Sequence, residues 1–308
     1  MTKILIIKLG YSETLDSEIT KVVSLGDVLR TTPILEALKE KYEHSSITFL
    51  TDKKAEELVK NNIYIDKLLI WDEFIGFLLL KERFDIVINL EKHPGICALA
   101  DMIEAWQKYG FRFVSQTGDI AEYEQKVSFI DYINNKAIKK DYWQKILIEH
   151  IGIKWKEQEY TLGYTPKSNE IFDIGLNFQV GSKWPTKSMS KEKWEILYHK
   201  LTQLGYKVDW QQGLNNLYEY IDWINSCRLL ISQDSLGLHL SMALHKKTIG
   251  LFGSTDSEEI YPYGDVTFLN SKTKCDIMPC YKQVCGNNTF CMDELNLNEI
   301  LNIVKEKL

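Results

Sequence analysis

The sequence lacks several features that would indicate particular classes of protein. It has 37 Lys and Arg against 43 Asp and Glu, a formal net charge of −6, and so lacks the basic surface that non-specific nucleic-acid binding needs. It has no apolar run of about 18 residues, the length that spans a bilayer. Its short apolar amino terminus alternates with lysines and lacks a small-residue cleavage site, so we expect a first strand and a cytoplasmic protein.

Low-complexity segments and short-period repeats are also missing. Instead, segments rich in Ile, Val and Leu alternate with segments of helical periodicity, and this pattern occurs twice. Buried strands that alternate with helices are typical of βαβ units and parallel sheets. The predicted strands are 4–9, 47–51, 67–71 and 85–90, then 173–178, 207–210, 229–232 and 248–252. The predicted helices are 27–42, 54–61, 74–81, 95–106, 191–204, 217–226 and 240–246.

The periodicity is lost between residues 153 and 171, where Gly, Pro, Ser and Asn gather. We therefore predict two Rossmann-like, doubly wound α/β domains, residues 1–160 and 170–308, that face a central cleft. Ligands of such folds bind beyond the carboxyl ends of the strands. The functional residues are therefore expected in the loops that follow strands.

The segment SLGDVLRTTP follows the first strand and an insertion. Asp27 is expected near the start of a helix, where the helix dipole stabilises a carboxylate. A carboxylate beside the cleft would take a proton from an acceptor hydroxyl. The plainer interpretation is that Asp27 is only an N-terminal helix residue.

The segment NFQVGSKWPTKSMS follows the first strand of the second domain. Its Ser182 offers a hydroxyl donor, and Lys183 and Lys187 supply charge for phosphate oxygens. The spacing matches neither a Walker motif nor a dinucleotide fingerprint. Lysines in a loop are also often only solvated charge.

The segment SQDSLGLH joins a predicted strand directly to a helical pattern. Unsatisfied amides at such a helix start bind anions, and Gly237 would let the backbone approach a diphosphate closely. Asp234 would repel phosphate, so we expect it to accept hydrogen bonds from sugar hydroxyls. His239 is a candidate to donate to phosphate or polarise a leaving group, although a single helix histidine is commonly structural. The predicted donor-binding residues are Ser182, Asp234, Ser235, Leu236, Gly237, Leu238, Gly253 and Thr255.

Two further groups complete the candidates. Glu91 and Lys92 follow the last predicted strand of the first domain and, with Ser24, are candidates to bind the acceptor. Alternatively, Glu91 and Lys92 form an ordinary surface pair, worth under ~1 kcal/mol.

Four of the six cysteines, Cys275, Cys280, Cys285 and Cys291, lie in one C-terminal stretch. In a cytosolic chain this clustering indicates metal or redox chemistry before disulfides. Four thiolates can complete a tetrahedral shell around zinc or iron, and a closed shell would be structural. The spacing is looser than in zinc ribbons, so four free thiols that pack a loop are the alternative.

These motifs resemble those of glycosyltransferase family nine, which includes the lipopolysaccharide heptosyltransferases. The family's Ser-x-Gly-Asp-Val motif appears as Ser24-Leu-Gly-Asp27-Val, and its Asp-Ser/Thr-Gly-x-x-His motif appears as Asp234-Ser-Leu-Gly-Leu-His239. Its Leu-Phe-Gly-Pro-Thr motif appears as Leu251-Phe-Gly-Ser-Thr. The motifs occur in the family's order over nearly the whole chain, although the motif glycine is displaced by one position.

The resemblance implies an inverting, Mg²⁺-independent glycosyltransferase of the GT-B type that needs no cofactor for catalysis. The expected donor is a nucleotide-diphosphate sugar, foremost ADP-heptose, and the expected acceptor is a glycan or lipid-linked molecule of lipopolysaccharide biosynthesis. By resemblance Asp27 is the general base, Lys187 neutralises the diphosphate, Ser182 is the phosphate-binding hydroxyl, and Asp234 holds the donor sugar.

The resemblance also bears on the metal, the location and the rival functions. Some related protein-modifying heptosyltransferases carry iron on four C-terminal cysteines, which favours a structural Zn or Fe here. We expect no nucleic-acid partner, and at most peripheral association with the inner face of the membrane. The alternative functions are a nucleotide-sugar epimerase or hydrolase of the same architecture, or a non-catalytic, metal-bearing sugar-nucleotide-binding protein.

Overall fold

The structure is a computed structural model and describes residues 1–11, 22–135, 140–211, 216–287 and 290–308. The chain divides into two compact units, Met1–Tyr164 and Thr165–Leu308. Within the described ranges, no helix is both long enough and apolar enough to cross a membrane.

The first unit is built on a six-stranded sheet of order β3-β2-β1-β4-β5-β6. All neighbouring strands are parallel except the last pair, which is antiparallel. The strands are β1 (Thr2–Ile7), β2 (Ser45–Thr51), β3 (Lys67–Ile70), β4 (Arg83–Asn89), β5 (Glu104–Val114) and β6 (Asp119–Glu122). The helices are α1 (Leu25–Arg30), α2 (Pro33–Lys41), α3 (Glu56–Val59), α4 (Glu73–Leu79), α5 (Pro94–Met102), α6 (Phe129–Asn134) and α7 (Trp143–His150). The first five strands follow the Rossmann order.

The second unit is built on a five-stranded parallel sheet of order β11-β10-β9-β7-β8. The strands are β7 (Phe172–Asn177), β8 (Val208–Trp210), β9 (Cys227–Gln233), β10 (Lys247–Phe252) and β11 (Val266–Asn270). The helices are α8 (Lys191–Gln203), α9 (Leu217–Asn225), α10 (Leu236–Ala243) and α11 (Leu297–Lys307). Counted within the unit, this is the flavodoxin-like order, the other common doubly wound arrangement. The predicted α/β class with two Rossmann-like units is confirmed.

The central strands are apolar along their whole length because both of their faces are covered. Residues 4–7 of β1 are all fully buried, and β1 pairs with β2 on one side and β4 on the other. In the second unit, Leu176 of β7 and Ile231 of β9 join Trp194 of α8 in one buried cluster. Burial on two faces produces the continuous apolar runs from which these strands were predicted.

Two helix predictions in the first unit were wrong in extent. The helix predicted over 27–42 is two helices, because the hydroxyls of Thr31 and Thr32 donate to carbonyl oxygens three residues earlier, at 2.7 and 2.8 Å. Pro33, which has no N–H to donate, then begins α2. The helix predicted over 95–106 ends at Met102, and the chain continues as β5, which the sequence did not predict.

Candidate functional site

Each sheet contains a point where the strand order reverses, and open α/β sheets bind ligands beyond the carboxyl ends of the strands at such a point. In the second unit this point lies between β7 and β9, where Asn177 aligns with Ser232. In the first unit it lies between β1 and β4, where Ile7 aligns with Asn89. Most predicted site residues follow the strands at these two points, whereas Gly253 and Thr255 follow the neighbouring β10.

Three predicted residues of the second unit converge on the carboxylate of a fourth, Asp234. The Lys187 ammonium lies 2.6 Å from Asp234 Oδ2, and the Thr255 hydroxyl donates to the same oxygen at 2.8 Å. The His239 Nε2 lies 3.9 Å from Asp234 Oδ1. We call Lys187, Asp234, His239 and Thr255 the Asp234 cluster; they come from the loops and helix that follow β7, β9 and β10.

Asp234 is held ionised by this cluster. Burial alone would raise the pKa of its carboxyl, but the ammonium of Lys187 and, when it is protonated, the imidazole of His239 act in the opposite direction. The hydrogen bonds from Lys187 and Thr255 add to that effect, so the pKa lies well below its usual value. An ionised carboxylate accepts hydrogen bonds only, which suits it to bind hydroxyl groups.

A residue that the sequence analysis did not select, Asn177, organises the turn before α10. Its Nδ2 donates to the hydroxyls of Ser232 and Ser235, at 2.8 and 2.9 Å. The hydroxyl of Tyr220 donates to Asn177 Oδ1 at 2.7 Å. Asn177 is a buried polar residue at the end of an apolar strand. The position of a polar residue at the end of an apolar run is also the pattern from which Asp234 was predicted as a site residue.

Two expectations about the start of α10 require correction. The amide of Leu238 donates to the carbonyl of Ser235 at 3.1 Å, so it is already used inside the first turn. A Cβ atom on Gly237 would lie 2.3 Å from Asn177 Nδ2 and from the Tyr220 hydroxyl. Packing against these two side chains is therefore enough to require a glycine here, whether or not a ligand approaches the backbone. The amides of Leu236 and Gly237 remain in the first turn of the helix.

The helix itself begins four residues earlier than the predicted start at 240. Residues 237–242 are all buried. Because the helix has no polar face in this stretch, the periodicity that would reveal its start is weak.

The loop that carries Ser182 and Lys187 is held by two residues that lie between Cys280 and Cys285. Ser182 is exposed. The Thr186 hydroxyl donates to the carbonyl of Lys282. The side-chain amide of Gln283 donates to the carbonyl of Lys183 at 3.0 Å. The position of this loop therefore depends on the segment between Cys280 and Cys285.

The four clustered cysteines line one cavity of about 330 Å³. Burial raises the pKa of the Cys291 thiol, and the neighbouring Cys280, Cys285 and Cys275 raise it further. A Cβ atom on Gly253 would lie 2.9 Å from the Cys291 Sγ, so this predicted donor-site glycine packs directly on the cluster. Across the described ranges, no group of three or more His, Cys, Asp or Glu side chains is arranged to hold a metal ion.

In the first unit, Asp27 lies in the first turn of α1, and Ser24 is the residue that precedes this helix. The Asp27 carboxylate is 3.9 Å from the Arg30 guanidinium, and its side chain is 25% exposed. The Ser24 amide donates to the carbonyl of Gly10 at 2.7 Å. Asp27 is therefore a partly exposed carboxylate close to the end of β1.

Of the two candidate acceptor-binding residues that follow β4, Glu91 is buried, whereas Lys92 is partly exposed and its role stays a prediction. Glu91 is fully buried, and its Oε1 accepts from the amides of Leu9 and Gly10, both at 2.8 Å. Burial raises the pKa of Glu91, against the opposing effects of Lys8 and the two amides. The Lys92 ammonium lies 5.1 Å from the centre of the Phe111 ring, a cation–π distance. The Glu91 carboxylate therefore binds the backbone amides of Leu9 and Gly10 and is not exposed to an acceptor.

Comparisons with known proteins agree with the motifs and the fold. Residues 212–290 match the model of the family Glycosyltransferase family 9 (heptosyltransferase). Lipopolysaccharide heptosyltransferase 1 of Campylobacter coli is 21% identical, over 94% of this chain and 97% of the relative.

Two solved structures share the fold over almost the whole length. The glycosyl transferase family 9 structure from Veillonella parvula has a TM-score of 0.68 and 19% identity, and covers 99% of this chain and 97% of that one. The E. coli heptosyltransferase WaaC with ADP has a TM-score of 0.67 and 13% identity, and covers 100% of both chains. The chain is a glycosyltransferase that is similar to the family 9 lipopolysaccharide heptosyltransferases.

Proposed function

We propose that this enzyme transfers heptose from ADP-heptose to an acceptor of the lipopolysaccharide-core type, with inversion and without Mg²⁺. The observation that carries the proposal is the Asp234 cluster, a buried carboxylate and an ammonium side by side at the point where the second sheet reverses its strand order. The relatives named lipopolysaccharide heptosyltransferases, and the similar structure that holds ADP, support the choice of sugar and nucleotide.

The leaving diphosphate would be stabilised by fixed positive groups. Lys187 supplies an ammonium, and the amides of Leu236 and Gly237 supply the positive end of the α10 dipole. His239, when protonated, adds a further donor beside them. Groups that are fixed before the reaction stabilise developing charge without reorganisation, the role that a metal ion has in other transferases. Asp234 would accept hydrogen bonds from hydroxyls of the sugar.

Asp27 would act as the general base. The acceptor oxygen forms a bond to the anomeric carbon while the bond from that carbon to the diphosphate oxygen breaks, and the acceptor proton moves to Asp27. A single displacement of this kind inverts the anomeric configuration. The partly exposed carboxylate of Asp27, in the first turn of α1, suits proton transfer to or from a bound ligand.

We assign acceptor binding to the first unit and donor binding to the second. A lipid-linked acceptor would bring the enzyme to the cytoplasmic face of the membrane as a peripheral protein. We also propose that Cys275, Cys280, Cys285 and Cys291 hold a structural zinc or iron, because four thiols line one cavity and match the number and type of donors that these metals prefer. The described thiols are not arranged around an ion, so their side chains would have to move together to bind one. This metal would take no part in the transfer step.

The substitution Asp27→Asn tests the proposed function. ADP release from ADP-heptose is measured with and without heptose-free lipopolysaccharide as acceptor. We expect acceptor-dependent release to fall by about 10²–10⁴-fold, the usual contribution of a general base, while ADP binding changes little. Glu36→Gln is the matched control, because Glu36 is the first-turn acid of α2. Wild-type turnover in Asp27→Asn would remove Asp27 from the mechanism, and release without acceptor would indicate a hydrolase.

A further inference from the structure

Residues 8–24 connect β1 to α1, and the structure describes 8–11 and 22–24 of them. β1 ends at Ile7 and α1 begins at Leu25. The proposed base, Asp27, lies in the first turn of that element. The position of α1 is set by the packing of its buried Val28 and Leu29 and by the backbone contacts at its start.

The contact that joins the two ends of this connection is a close approach of two backbone segments. The Ser24 amide donates to the Gly10 carbonyl at 2.7 Å. Gly10 has φ +83, and a Cβ atom there would lie 2.8 Å from the Ser24 carbonyl oxygen. Only glycine permits both the conformation and the approach. Wherever Gly10 is held, the start of α1 is held with it.

Gly10 is held by Glu91. The Glu91 Oε1 accepts from the amides of Leu9 and Gly10, and the Lys8 ammonium lies 3.4 Å from the same oxygen. The backbone of Glu91 is fixed in turn by Asn89, whose side chain accepts from the Glu91 amide at 3.1 Å and donates to its carbonyl at 3.2 Å. These contacts cross from β4 to β1 at the point where the sheet reverses its order.

A buried carboxylate is not needed for packing alone. Desolvating a charge is costly, and an apolar residue of similar volume often gives equal stability. What an apolar residue does not supply is one acceptor for two adjacent amides, which fixes the direction of the backbone at Leu9 and Gly10.

We infer that Glu91 is a positioning residue that holds Asp27 in the geometry for proton transfer, acting through Gly10 and Ser24. The inference rests on the proposed role of Asp27. A small displacement of a catalytic group costs as much as ~10²-fold in rate. Loss of the Glu91 contacts therefore affects turnover and leaves the donor site, which belongs to the second unit, unchanged.

Glu91→Ala and Glu91→Gln test this inference. We expect Glu91→Ala to lower acceptor-dependent turnover by about 10–100-fold at saturating ADP-heptose, with the Kd of ADP unchanged. Glu91→Gln should retain most of the turnover, because its amide oxygen can accept from the same two N–H groups. Asp66→Ala is the matched control, since Asp66 also accepts from a backbone amide and a lysine, Ile47 and Lys39, but before β3. It should lower stability without changing turnover per folded molecule.

A double substitution separates positioning from a general loss of stability. In the Asp27→Asn background, Glu91→Ala should reduce turnover no further, because the group on which it acts is gone. Losses that multiply, or an unchanged rate in Glu91→Ala, would overturn the inference while leaving the proposed base in place. Wild-type turnover in Asp27→Asn alone would instead overturn the proposed function. If Glu91→Ala does not fold, Gly10→Ala breaks the same link from the other side and should give the same loss.

Discussion

Replacing Lys187 by alanine is expected to destabilise the second unit, because the Asp234 carboxylate would lose its charged partner. The two side chains are 18% and 11% exposed, with 2.6 Å between Lys187 Nζ and Asp234 Oδ2. Removing one partner of a buried pair costs about 3–5 kcal/mol. Thr255 still donates and water reaches part of the pair, so we expect about 2–3 kcal/mol, a fall in Tm of about 5–10 °C.

The double variant Lys187→Ala, Asp234→Asn separates the structural part of this effect from the functional part. A neutral amide needs no ammonium, so most of the lost Tm should return. The diphosphate would still lack its ammonium, and a charge-assisted hydrogen bond contributes about 1.5–3 kcal/mol, so ADP should bind about 10–150-fold more weakly in calorimetry. The control is Lys191→Ala, since Lys191 is 70% exposed on α8.

The pH dependence of stability gives a second signature of the same pair. In the wild type the pKa of Asp234 is lowered, so the stability it contributes is present above its ordinary value of 3.8 and is lost only as pH falls through the lowered pKa. In Lys187→Ala the largest effect that opposes burial is lost, although Thr255 and His239 remain, and the pKa of Asp234 should rise. A raised pKa makes stability decrease as pH increases from about 4 through that pKa. The double variant should show no such decrease.

Two results would refute this reasoning. An unchanged Tm in Lys187→Ala would mean that the pair contributes nothing to stability. Recovery of ADP affinity together with Tm in the double variant would mean that Lys187 only holds Asp234 in place and does not bind the diphosphate.

Two further predictions concern packing and metal content. Gly237→Ala should lower the free energy of unfolding in urea by about 2–4 kcal/mol, because its Cβ would displace Asn177 from its hydrogen bonds. In the double variant with Asn177→Ala, the loss of stability should be smaller than the sum of the two single losses. Stability equal to that of the wild type in Gly237→Ala would contradict the close contact. Elemental analysis of protein purified under reducing conditions should find about one zinc or iron per chain. The metal should be lost in Cys275→Ser and kept in Cys97→Ser. If the wild type contains no metal, the four clustered cysteines are free thiols that only pack the loop.

The sequence could predict the strands that precede the site, and it could not predict which side chains meet. Strands covered on both faces are apolar throughout, so β1, β7 and β9 were visible as apolar runs. β5 was not, because it exposes residues such as Trp106, which is 84% exposed, and so lacks an apolar run. The contact of Asn177 with Tyr220 joins residues 43 positions apart. Only the order and register of the strands, which local patterns do not contain, bring such partners together.

Both units place a carboxylate paired with a lysine where the strand order reverses, and the two pairs differ chiefly in solvent access. In the first unit the side chains of Lys8 and Glu91 are 5% and 0% exposed, and the carboxylate is occupied by backbone amides. In the second unit, Lys187 and Asp234 remain partly exposed. All the described hydrogen bonds that Asp234 accepts come from side chains, those of Lys187 and Thr255. The residue types are the same, but burial raises the pKa of Glu91 whereas the partners of Asp234 lower its pKa, so exposure and charge both distinguish the two carboxylates. A closed pair fixes the backbone, whereas an open pair can exchange its partners for those of a ligand.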